Sequence, residues 1–99
     1  MGSLRDEFAK LHSQKYFQFD DLDRMIRRIV NANPKLFPRF NVKSKGSRSV
    51  YHFNVRGLWP ISLEREHGGR DHVPPRFAKL ALGGIEDLLI YVEGEHEGS

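Results

Sequence analysis

Residues 43–64 read Lys43-Ser44-Lys45-Gly46-Ser47-Arg48-Ser49-Val50-Tyr51-His52-Phe53-Asn54-Val55-Arg56-Gly57-Leu58-Trp59-Pro60-Ile61-Ser62-Leu63-Glu64. Two turn signals divide this stretch, Lys43 to Ser47 around Gly46 and then Arg56-Gly57. From Val50 to Val55 the residues alternate. Tyr51, Phe53 and Val55 fall on one face and Val50, His52 and Asn54 on the other, which is the period of a β-strand. Leu58 to Glu64 repeats the pattern, with Trp59, Ile61 and Leu63 sharing a face. Pro60 lacks an N–H, so that strand is an edge or carries a bulge. Upstream, Phe37, Pro38, Phe40 and Val42 read as an extended segment with an irregular start. Residues 35–64 therefore predict a three-stranded antiparallel meander.

Helical periods flank the meander. Leu4, Phe8 and Leu11 predict an amphipathic helix over residues 4–14, with Ser3 and Asp6 spaced as a capping box. Leu22, Met25, Ile26 and Ile29 form the apolar stripe of a second helix, capped by Asp20 or Asp21 and ended by Asn31-Ala32-Asn33-Pro34. Its acids precede its arginines, and Asp20–Arg24 and Asp23–Arg27 stand four apart in the favourable order. After the meander, Pro74-Pro75 suits a helix start, Phe77, Leu80 and Leu82 follow, and Gly83-Gly84 reads as a stop. The apolar run within Asp87–Glu93 then reads as a buried strand. The expected fold is α+β in the order α-α-β-β-β-α-β, with residues 94–99 as a frayed tail.

Ninety-nine residues fit one small domain with one core. There is no cysteine, so disulfides, thiolate metal sites and a cysteine nucleophile are excluded. No apolar run reaches the roughly 18 residues that span a bilayer, and the first residues lack the apolar core of a secretory signal. No membrane partner is expected, and the cytoplasm is the default location.

The net charge of +3 hides a strong asymmetry. Residues 1–23 hold three basic and five acidic groups, net −2, and residues 64–99 hold four and eight, net −4. The 40 residues from Arg24 to Leu63 hold nine basic groups and no acid. Phe37, Phe40, Tyr51, Phe53 and Trp59 are threaded through that block. Cations that displace counterions, interleaved with rings, are the footprint of a polyanion partner. The first expectation is a nucleic-acid-binding domain, RNA ahead of DNA. Lys43, Lys45, Arg48 and Arg56 are the foremost backbone contacts, and Arg39, Arg27 and Arg28 follow. A solvated face is the plain alternative, with the helix arginines paired to their own acids and the rings in the core. An acidic protein surface is another partner that would suit the block.

A second cluster follows at once. Glu64, Glu66, His67, Arg70, Asp71 and His72 lie within nine residues, and His52 sits on the preceding strand. RNA cleavage without metal needs a base, an acid and a cation for the phosphorane. His52, Glu66, His67, Arg70 and His72 supply those types. The alternative expectation is thus a small toxin-like ribonuclease. The spacing of His67 and His72 matches no metal motif, and neither a metal nor a cofactor is expected. Tyr51-His52-Phe53, Pro60 and Gly68-Gly69 follow the residue order of the His-Asn-His nucleases of bacteriocins. The paired histidines and the later Asn and His of that motif are missing, so that family is not assigned. The element order and basic sheet resemble small RNA-cleaving bacterial toxins only at the level of fold.

Overall fold

The computed structural model describes residues 3–66 and 71–97. Helix α1 is Leu4–His12, opened by a complete capping box. The Asp6 N–H donates to Ser3 Oγ at 3.1 Å, and the Ser3 N–H donates to Asp6 Oδ2 at 3.3 Å. A two-residue strand, β1 (Phe17–Gln18), leads directly into helix α2, Phe19–Ala32. The predicted stripe of α2 is buried and gains Phe19 and Val30. Its cap differs from the sequence expectation. Asp20 and Asp21 lie inside the first turn, and the N-cap residue Gln18 makes no side-chain cap bond. Asp71 supplies the cap from across the fold, accepting the Asp20 N–H at Oδ2 (3.2 Å) and the Phe19 N–H at its carbonyl (2.6 Å).

The meander is present as β2 (Asn41–Lys45), β3 (Arg48–His52) and β4 (Ile61–Glu64), antiparallel in the order β2-β3-β4. The turn is tighter than expected. Lys43, Ser44 and Lys45 belong to β2, and Lys45 pairs with Arg48 around Gly46-Ser47. Gly46 takes φ +61, the left-handed value that the first position of a two-residue hairpin loop of the II′ kind demands. Strand β3 ends at His52, two residues before Asn54 turns to φ +55. Strand β4 begins only after Pro60. A second, two-stranded sheet pairs β1 with β5 (His72–Val73), in the register Phe17↔Val73 and Gln18↔His72.

The C-terminal third departs most from expectation. Helix α3 runs unbroken from Pro75 to Glu97, through the glycine pair and the run expected as a strand, and into the first part of the 94–99 segment. Its buried residues are Ala78, Ala81, Leu82, Ile85, Leu88, Leu89 and Val92, a helical period that ignores the glycines. Ile90, within the supposed strand, faces solvent. Gly84 is a close-approach point and not a stop. A Cβ there would stand 2.8 Å from Ile61 Cγ1, so glycine lets α3 lie against β4.

One face of the β2-β3-β4 sheet meets the helices. Tyr51, Phe53, Ile61 and Leu63 are buried in a single core with α1, α2 and α3. Phe37 packs edge-on to Phe53 at 6.0 Å and against Tyr91 of α3 at 6.0 Å. The Tyr51 hydroxyl donates to Asp23 Oδ1 of α2 at 2.6 Å, and Arg27 Nε donates to the same oxygen at 2.9 Å. Burial, and then that hydrogen bond, push the Tyr51 phenol well above its ordinary pKa. Arg5 of α1 forks onto Glu93 of α3 at 2.6 and 3.3 Å and holds that carboxyl below its usual value. Among the described residues, no helix is long and apolar enough to cross a membrane.

Candidate nucleic-acid interface

With Tyr51 and Leu63 turned inward, the alternate residues of each strand form the opposite, open face. Cross-strand pairs order that face into rows. Lys45, Arg48 and Glu64 form the row beside the Gly46 turn, Lys43, Val50 and Ser62 the next, and Asn41 and His52 the last. Lys43, Lys45 and Arg48 are exposed. The rows span four residues, about 13 Å of strand. Past the last row, Asn54 Nδ2 donates to the Arg39 carbonyl at 2.7 Å, which ties the Arg39 segment to the start of the Arg56 turn. Arg39 and Arg56 are both exposed at that end.

Among the described residues, Lys43, Lys45, Arg48, Arg39 and Arg56 make no ion pair. Arg48 instead donates from Nε to Ser62 Oγ across the sheet at 3.0 Å, which lays its guanidinium along the face. Glu64 is the single acid on the rows. The arginines of α2 are placed differently. Arg27 pairs with Asp23 at 2.9 Å, Arg24 reaches Asp21 at 3.7 Å instead of the expected Asp20, and Arg28 crosses to Glu7 of α1 at 3.0 Å. These three lie in the helix layer, behind the sheet, and do not join the open face.

Four of the five rings in the acid-free block go inward. Phe37, Tyr51 and Phe53 are buried, and Phe40, half-buried, stacks on Phe53 at 5.7 Å. Trp59 does not share the face of Ile61 and Leu63, as the alternation predicts. It is 85% exposed, in the connection between Gly57 and β4. Pro60 was the available signal: it ends the ladder at Ile61 and frees Trp59 from the strand's alternation.

Among the described residues of the histidine cluster, His52 and Glu66 do not come together. Tyr51 pairs with Ile61, so His52 stands at the Pro60 end of the sheet, whereas Glu66 follows Glu64 past the Arg48 end. Antiparallel pairing thus sends two of the candidate catalytic residues, His52 and Glu66, to opposite ends. Glu66 and His72 do meet, through the Glu66 N–H and the His72 carbonyl at 2.8 Å. The His72 ring lies against Tyr16 at 6.3 Å. Asp71 is occupied as the α2 cap and as the partner of Arg65 Nε at 3.2 Å, and Arg65 itself lies over the Phe19 ring at 3.7 Å. His67 and Arg70 lie outside the described residues. Among the described residues, no three His, Asp or Glu side chains come together as a metal would need.

Comparison of the chain with protein families, curated proteins and solved structures found no match. The reading of the face therefore rests on its own chemistry. Three exposed cations on one sheet face, one of them a guanidinium held by Ser62, can neutralise several phosphates of one backbone at once.

Proposed function

We propose that the open face of the β2-β3-β4 sheet binds nucleic acid. The observation that carries this reading is the convergence of Lys43, Lys45 and Arg48 on one exposed face, none of them ion-paired among the described residues. Lys43 and Lys45 offer mobile ammonium groups, and Arg48 offers a planar fork for phosphate oxygens. Arg39 and Arg56 continue the track past His52. Uncompensated cations held side by side repel one another, and a bound polyanion relieves that repulsion.

The test is fluorescence anisotropy of labelled RNA and DNA oligonucleotides between about 50 and 200 mM salt. Four phosphate contacts would weaken a single strand by about fifty-fold over that range. Lys43→Glu with Lys45→Glu should abolish most binding while leaving the urea midpoint near that of the parent. Affinity that stays flat with salt, or survives the double charge reversal, would overturn the reading. Capture of an acidic protein in place of any oligonucleotide would reassign the face to a protein partner.

A further inference from the structure

Resting on that reading of the open face, we infer that the ligand is single-stranded and that Trp59 is the platform on which one unpaired base stacks. The core has absorbed the other rings of the basic block, and Trp59 alone of the five is left exposed. Tryptophan is on average a highly buried residue, and this one is 85% exposed. Among the described residues, no ring or cation lies over the indole. Its backbone is nonetheless held. Val55 and Leu58 pack against the core on one side of it, and the Leu58 N–H donates to the Val55 carbonyl at 3.1 Å. Pro60 fixes φ on the other side, and Ile61 then enters β4. A ring displayed on an anchored backbone loses little entropy when a ligand covers it. Gly57, Leu58 and Trp59 also border a shallow depression of about 250 Å³.

The position of the ring decides between single and double strands. It stands at the Pro60 end of the sheet, with Arg56 and Arg39, and the lysine-bearing Gly46 turn is at the other end. A base whose phosphate lies near Arg56 can turn its face onto the indole only if no neighbour already covers that face. In a duplex both faces of an internal base are stacked. A duplex would instead meet the cations of the open face through its phosphates alone and leave Trp59 untouched. Arg56 and Arg39 at this end of the sheet, without an ion pair among the described residues, supply the charge, and the ring supplies sequence-tolerant stacking, which is the pairing of features used on single strands.

Trp59 is the chain's one tryptophan, so its emission reports this site alone. The experiment titrates the full chain with a mixed-sequence single strand of about ten nucleotides, and with the same sequence annealed to its complement. It follows indole emission and the anisotropy of labelled strand together. The single strand should quench the emission over the same concentrations that raise the anisotropy, and the duplex should bind more weakly and leave the emission unchanged. Trp59→Ala should weaken single-strand binding roughly 5- to 150-fold, and Trp59→Phe should restore part of it. The salt slope should not change, because no phosphate contact is lost. Circular dichroism and the urea midpoint confirm that the variants fold. Single-strand binding with unaltered emission, unaltered affinity of Trp59→Ala, or equal binding of the duplex would overturn this inference and leave the nucleic-acid reading standing. An absence of binding by either form would overturn both.

Discussion

Tyr51 shows how one side chain can belong to two layers. Its ring is buried under the sheet, and its hydroxyl ends on Asp23, which also holds Arg27. Removing the hydroxyl in Tyr51→Phe leaves Asp23 with Arg27 and should cost about 1–3 kcal/mol, read from urea unfolding. The phenol also sets a pH response. Its folded pKa lies above the unfolded value of about 10, so the folded state keeps a proton that the unfolded state has lost. Stability should therefore fall as pH rises above about 10, by up to about 1.4 kcal/mol per pH unit from this group. The same titration of Tyr51→Phe should lack that increment; equal slopes in the two proteins would contradict the assignment. The inward direction of Tyr51 is legible in the alternation of residues 50–55. Its partner on α2 is not, because nothing local pairs positions 23 and 51.

Helix α3 carries the clearest lesson about elements. Gly83-Gly84 has the look of a stop, yet burial at Ala78, Ala81, Leu82, Ile85, Leu88, Leu89 and Val92 runs straight through it. Burial of this stripe outweighs about 1 kcal/mol of lost propensity at each glycine. The two glycines should respond differently to alanine. A Cβ at Gly83 meets nothing within 4 Å, so Gly83→Ala should stabilise by about 0.5–1 kcal/mol. At Gly84 the same Cβ falls 2.8 Å from Cγ1 and 3.1 Å from Cδ1 of Ile61, a buried side chain at the start of β4. Gly84→Ala should lose that gain and cost about 1–3 kcal/mol through overpacking. Urea midpoints of both variants check this, and matched shifts would refute the close approach. A short apolar run such as residues 88–92 suits a strand or a buried helix equally well by composition, and its length to either side decides.

Across the molecule, the acid-free block divides in two once the chain is folded. Its helical third, Arg24, Arg27 and Arg28, finds carboxylates on α1 and α2, while Lys43, Lys45 and Arg48 are left facing solvent. The second group, continued by Arg39 and Arg56, should contribute to salt-dependent binding, and the helical third should not. Lys43→Ala and Lys45→Ala should each reduce the slope of log affinity against log salt by about 0.7–0.9, and Arg28→Ala should leave it unchanged. A reduced slope for Arg28→Ala would move the interface to the helix layer. The candidate site was thus half legible: the count of cations could be read from the chain, but which of them kept a free charge depended on partners such as Glu7, 21 residues away from Arg28.

Local order was enough for the meander, for α1 and α2, and for the charge block, because alternation, helical period and turn residues act between neighbours. Three things were settled only when distant segments met. Asp71 became the cap of α2, α3 continued past two glycines to rest on Ile61, and His52 was carried to the opposite end of the sheet from Glu66. The first two depend on contact across tens of residues, where burial and hydrogen-bond satisfaction override local propensity, and the third on the register that pairs Tyr51 with Ile61. The exposure of Trp59 belongs with them. Pro60 hinted at it, and the register that starts β4 at Ile61 fixed it.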